Sequence, residues 1–249
     1  MGKIIFWIFF ISTIIGGCSF IPDDDDKPVY HVIISPSFRS LWDDKGEMFQ
    51  ECVSMENNTR FTFDETYVNK VSLASKDIFF SLDTEPTQAK VFQLGSVDLF
   101  FITQKANPIK VISKKELRNI FIGRMTSWQA LKNAIEMQSS FQGDIHLYIY
   151  AQYDEVSQFL SSQLKLGDFQ TGKARLISNQ LSMREAIQND INGLGILFSK
   201  DEVSGDIHKL EINFDGEDEF HIPIIVQLTE EADIVQMQYI GCLQESLSR

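Results

Sequence analysis

Short apolar runs alternate with stretches of helical period along most of this chain, and the alternation constrains its fold more than any other feature. Residues 30–34 (YHVII), 60–63 (RFTF), 76–81 (KDIFFS) and 98–103 (DLFFIT) read as strands, several of them closed by turn formers such as SPS and LDTEP. Residues 38–52 set Phe38, Leu41, Trp42, Met48, Phe49 and Cys52 at helical spacing, with a break near Gly46. Farther on, 144–151, 174–177, 191–198, 208–212 and 222–226 read as strands, and 155–166, 181–189 and 230–247 as helices. Strands separated by helices imply an α/β fold with a largely parallel sheet. A length of 249 residues suits one large domain or two small lobes.

One stretch carries its own start and stop signals. In ISKKELRNIFIGRMTSW (112–128), Ser113 stands at a helix N-cap with Glu116 three residues later, a capping box that satisfies two free backbone N–H groups. Leu117, Ile120 and Phe121 form an apolar stripe, Gly123 supplies the left-handed stop, and Trp128 opens a short second helix. This spacing makes the four apolar residues packing residues rather than ligand contacts.

The formal net charge of -13 argues against a nucleic-acid surface, which needs clustered Lys and Arg, and against attraction to anionic lipid. The amino terminus points elsewhere. Lys3 precedes an apolar run over 4–15, too short to span a bilayer but suited to a signal-peptide core. The ending IIGGC resembles the lipobox of bacterial lipoproteins, which implies a signal peptide over 1–17 and lipidation of Cys18. The following FIPDDDDK reads as part of an acidic tether over 18–29, because four adjacent Asp repel one another and do not pack. Cys52 and Cys242 remain; export permits a disulfide between them, and two buried free thiols fit the sequence equally well.

The 112–128 stretch resembles the helix-turn segment of phosphate-type (PstS-like) substrate-binding proteins of ABC transporters, where a Ser/Thr-capped L-x-x-I-F-x-G-x-x-x-x-W recurs. Here the matching residues are Leu117, Ile120, Phe121, Gly123 and Trp128. The preceding NPI (107–109), the REAIQNDINGLGILF segment (184–198) and HIPIIV (221–226) are similar to later family segments in the right order. The resemblance covers most of residues 30–247. It implies a two-lobed periplasmic-binding-protein-like type II fold with mixed, mostly parallel sheets over 30–249. Lobe 1 would take about 30–105 plus 220–249, and lobe 2 about 106–219. It also implies a ligand cleft fed by three loops. The first holds Ser35, Ser37 and Phe38, where Ser35 and Ser37 either donate to a ligand or cap the next helix. The second follows Ser81 and includes Asp83. The third runs from Tyr150 through Gln152 and Tyr153 to Val156.

The third loop departs from the family. Where the family has Arg and then Ser-Gly-Thr, this chain has Tyr150 and then Asp154-Glu155-Val156. The guanidinium fork for an oxyanion is gone, and two carboxylates in its place would repel one. Tyr150, Gln152 and Tyr153 suit either a neutral or cationic ligand or plain strand-end packing. His31, His146, His208 and His221 show no metal-ligand spacing, and no nucleophile elbow or P-loop is present, so neither catalysis nor a cofactor or metal is expected. The expectation is a monomeric, lipid-anchored, extracytoplasmic solute-binding protein that serves an ABC permease with a small ligand other than phosphate. The alternative is a non-transport surface lipoprotein that kept the fold and acts as sensor or protein-binding module.

Overall fold

The computed structural model describes residues 27–44, 46–54, 59–66, 72–82, 90–131, 141, 143–150, 155–167, 173–198, 205–213 and 220–247. The signal peptide, Cys18 and most of the acidic tether lie outside them, as do Asp83, Gln152 and Tyr153. Two sheets organise the rest.

The first sheet contains β1 (Val29–Ile34), β2 (Arg60–Glu65), β3 (Asp77–Leu82), β4 (Lys90–Asp98) and β11 (His221–Leu228), in the order β2-β1-β3-β11-β4. β1 runs parallel to β2 and β3, with Ile34 opposite Glu65 and Phe80. β11 is antiparallel to β3 and β4, with a register shift between Ile224 and Ile225. The second sheet takes β5 (Phe100–Gln104), β6 (Val111–Ser113), β7 (His146–Tyr150), β8 (Arg175–Ile177), β9 (Gly193–Leu197) and β10 (Ile207–Asn213), in the order β6-β10-β5-β9-β7-β8. Five of the nine strand pairings are parallel, so both sheets are mixed. The chain changes sheet between Asp98 and Phe100 and returns between Asn213 and His221.

Among the described residues six α-helices accompany these sheets: α1 (Pro36–Asp44), α2 (Gly46–Ser54), α3 (Lys114–Phe121), α4 (Glu155–Gln163), α5 (Gln180–Gln188) and α6 (Ile234–Leu247). On the first sheet the core is aromatic. The Phe38 ring stacks on Phe80 at 5.4 Å, and Phe49 meets both edge-on at 5.8 and 5.9 Å. Cys52 of α2 and Cys242 of α6 form a disulfide, with Cα atoms 5.8 Å apart. The bond joins helices 190 residues apart in sequence, one near each end of the described chain. Of the two states the sequence allows, this is the one the fold adopts.

The 112–128 unit takes the shape its signals predict. Ser113 caps α3, and Glu116 returns to the Ser113 backbone N–H at 2.8 Å. Leu117, Ile120 and Phe121 are buried; each such side chain contributes about 1.5–3 kcal/mol of hydrophobic stabilisation. Gly123 ends the helix at φ 71°. Trp128 is fully buried, and its indole N–H donates to the Asn192 carbonyl at 3.0 Å. Glycine serves close packing in β9. A Cβ on Gly195 would sit 2.7 Å from Met183 Sδ and 2.8 Å from Ile187 Cγ1, so α5 could not lie where it does.

Candidate functional site

The site forms where strand ends of both sheets face each other. In open α/β sheets, ligands bind outside the carboxyl ends of the strands. β1 and β3 are parallel neighbours, so their carboxyl ends lie side by side. This brings Ser35, which follows β1, next to Ser81 near the end of β3; the Ser35 backbone N–H donates to the Phe80 carbonyl at 2.9 Å. Pro36 then opens α1, where a missing N–H costs nothing. Ser35 Oγ accepts from the Phe38 N–H at 3.2 Å, so Ser35 caps α1. A hydroxyl that accepts this bond still has a proton to donate. The cap and the ligand donor are therefore compatible roles for one residue. Ser37, one residue into α1, is also buried, and its Oγ has no hydrogen-bond partner.

The second sheet supplies the opposite wall through the junction of β7 with α4. Glu155, the first residue of α4, is 1 % exposed. Burial pushes its carboxyl above the ordinary carboxylate range; the hydroxyls of Ser35 and Ser37, its own N–H and the N–H of Leu82 pull it back in part. These donors lie near the carboxylate, and neither Glu155 oxygen makes a hydrogen bond with them. Glu155 stands on the second sheet's side, while Ser35, Ser37 and Leu82 stand on the first. Packing of α4 against β3 accompanies this contact.

The other residues expected at the cleft are placed less uniformly. Ser81 is fully buried in β3 beside Ser35. Phe38 belongs to the aromatic core of the first sheet. Tyr150 is buried at the end of β7; its hydroxyl donates to the Ile196 carbonyl at 3.0 Å and its ring meets Phe198 at 5.8 Å. Those contacts are strand-end packing. Ser157 closes the junction, donating to the Tyr150 carbonyl at 3.1 Å.

A second polar cluster lies at the far end of β7. Asp190 accepts from Tyr148 Oη at 2.8 Å and from the Asn192 N–H at 3.0 Å, and lies 2.6 Å from His146 Nδ1. Burial alone would raise its carboxyl, but the bonds from His146, Tyr148 and Asn192 outweigh it and hold the group below the ordinary range. Arg175 bonds Tyr148 and lies 3.4 Å from Asp190. No sequence spacing marks this cluster, since His146, Tyr148 and Arg175 are 15 to 44 residues from Asp190. It ties β7 and β8 to the turn before β9, at the amino ends of the strands and away from the cleft. Among the described residues, no three His, Cys, Asp or Glu side chains converge as a metal site, and no helix is long and apolar enough to cross a membrane.

No protein-family model matches the chain, and no curated protein sequence matches it. Solved structures do. An ABC-type phosphate transport receptor from Vibrio cholerae superposes with a TM-score of 0.65 at 15% identity, over 87% of this chain and 94% of that one. A putative phosphate ABC transporter substrate-binding protein from Clostridium perfringens, crystallised with bound phosphate, gives 0.66 at 13%, over 86% and 92%. The effector-binding domain of a BenM variant gives 0.61 at 9%, over 89% and 94%. The shared property is the fold: two lobes of the periplasmic-binding-protein-like type II architecture, with mixed sheets.

Proposed function

We propose that this chain is a solute-binding protein whose ligand is not phosphate. The observation that carries this reading is the position of Glu155. It places a carboxylate among the hydroxyl and N–H donors of the cleft, at the loop where the phosphate-type family has Ser-Gly-Thr. A phosphate there would meet a like charge at close range in a poorly hydrated site, which costs several kcal/mol. The fold supports the rest by analogy. Ser35, Ser37 and Ser81 line the cleft on one side, and Tyr150 and Glu155 line it on the other. Solute capture closes the lobes by hinge motion, and the closed form docks on the permease of an ABC importer. The protein works outside the cytoplasm as a monomer, held to the membrane by lipid on Cys18, with no catalytic step and no cofactor.

A second reading has its own support. Glu155 sets a group of the chain itself near Ser35, Ser37 and Leu82 of the facing sheet, and the same architecture forms an effector-binding domain. A surface lipoprotein that senses, or binds a protein, without importing anything fits both facts.

A thermal-shift screen separates the two. Phosphate, other oxyanions, amino acids, polyamines and sugars are each added to the protein. A solute at a hundred times its Kd adds about 2.7 kcal/mol of stability. A shift with a solute other than phosphate is the expected result. A shift with phosphate overturns the exclusion argued from Glu155. No shift with any of them moves the assignment to the sensor or protein-binding reading.

A further inference from the structure

We propose that the Glu155 side chain is the resident anion of this cleft: its carboxylate occupies an oxyanion cradle built by Ser35, Ser37 and the Leu82 N–H, and links the two lobes. The inference rests on the cleft being the solute site, and it says what currently fills that site.

Three independent observations meet here. First, the cradle is built for an anion. The start of α1 offers the Ser37 hydroxyl, which has no partner, and the Ser35 hydroxyl, whose proton its capping bond leaves available. Helix N-termini favour negative charge, and α1 and α4 both present theirs to this point. Second, the group inside is a carboxylate with 1 % exposure and no salt-bridge partner among the described residues. A buried carboxylate needs donors or a counter-charge to stay buried; burial raises this carboxyl, and the four groups that pull it back toward the ionised form are all neutral donors, the same chemistry that holds a bound oxyanion. Third, the contact crosses the lobes. Glu155 leaves the second sheet through α4, and three of the four donors belong to the first sheet and its α1 helix. A carboxylate at that position does for the lobes what a captured anion does in a closing cleft, with the difference that it is covalently part of one lobe.

The consequence is specific. An oxyanion is kept out by occupancy and by charge, and removal of the side chain vacates a site that accepts one. The full chain and its Glu155→Ala variant are titrated calorimetrically with inorganic phosphate and, separately, with sulfate. The wild-type chain is expected to bind neither measurably. The variant is expected to bind at least one of them, with a gain of roughly 100-fold or more in affinity, the scale of relieving close like-charge contact. A cooperatively melting Glu155→Ala chain that refuses both anions overturns the proposal, as does a wild-type chain that binds either one with equal affinity. Should Glu155→Ala fail to fold, Glu155→Asp decides. It keeps the charge and withdraws the carboxylate by one methylene, so the radius of gyration from small-angle scattering is expected to rise as the lobes part. An unchanged radius overturns the link. The solute-binding reading fails by a different result, a wild-type screen without any hit, so the two failures are distinguishable.

Discussion

Glu116 and Glu155 both sit in the first turn of a short helix, and the fold uses them in opposite ways. Glu116 turns back on its own helix. Its Oε2 accepts from the Ser113 N–H at 2.8 Å and from Ser113 Oγ at 2.7 Å, while Ser113 Oγ accepts from the Glu116 N–H at 3.2 Å. Every partner lies within three residues, so the arrangement is a closed local unit. Glu155 has no such partner. It leads α4 at the first position, where a side chain points off the helix end, and the donors around it come mostly from the other sheet. The same residue type therefore caps the start of one helix and, in the proposed reading, fills a ligand cradle at the start of another. What differs is the position in the first turn, third for Glu116 and first for Glu155, and the surface that faces each. A serine cap recruits the first; a wall of serines across the cleft recruits the second.

The comparison makes the α3 unit a structural joint and the α4 start a functional one, and mutation tests that division. The largest effect is expected from Trp128→Ala. The indole is fully buried and bonded to Asn192, so its loss leaves a cavity and removes one of the two hydrogen bonds that the Asn192 carbonyl accepts. Denaturant unfolding should show a loss of about 3–5 kcal/mol, with solute preference in the thermal-shift screen unchanged. A changed preference would move α3 into the binding machinery and break the division. Next comes Cys52→Ser, which opens the link between α2 and α6. A loss of about 2–4 kcal/mol is expected, again with ligand preference intact, because a cross-link acts mainly by restricting the unfolded chain. Unfolding with and without a reductant checks it, since reduction should lower the wild-type chain to the level of the variant and leave the variant unmoved.

The joint was legible in the sequence and the cradle only partly so, for a physical reason. Ser113, Glu116, Leu117, Ile120, Phe121 and Gly123 act over fewer than a dozen residues, and local chemistry prints itself as local pattern. Ser35, Ser37 and Ser81 were placed at the cleft through resemblance and strand-end logic, and the structure sets Ser35 beside Ser81 because β1 and β3 are parallel neighbours. Glu155 was visible as a departure, read as a charge that repels. Its burial against Ser35 and Ser37 depends on two segments 120 residues apart, which no spacing rule reveals. β4 was missed because it is an edge strand whose Val91, Gln93 and Ser96 face solvent, so it lacks a dense apolar run. β6 has only three residues. The Cys52–Cys242 bond needed the fold itself, since sequence separation says nothing of helix adjacency.

Two smaller effects sharpen the contrast between the glutamates. Ser113→Ala removes the cap that Glu116 answers and should cost about 0.5–2 kcal/mol, with Glu116→Ala costing no more.

Glu155 is tested through pH, and the sign is the diagnostic. Its folded-state pKa is raised, chiefly by burial. The folded protein thus holds this proton more tightly than the unfolded chain does. The resulting stability is fully present below the unfolded carboxyl value, about 4.3 for Glu, and is lost as pH rises through the folded value. Asp190, held low by its donors, contributes in the opposite sense: its share is present at neutral pH and is lost as pH falls. Raw acid unfolding mixes the two, so the useful quantity is the stability of wild type minus that of Glu155→Gln at each pH. The glutamine keeps the volume and cannot titrate. This difference should move in favour of wild type as pH falls from 7 toward 4, while the same subtraction with Asp190→Asn should move against it. A Glu155 difference that stays flat would mean the carboxyl is solvated in the folded protein, and the cradle would then hold no buried anion at all.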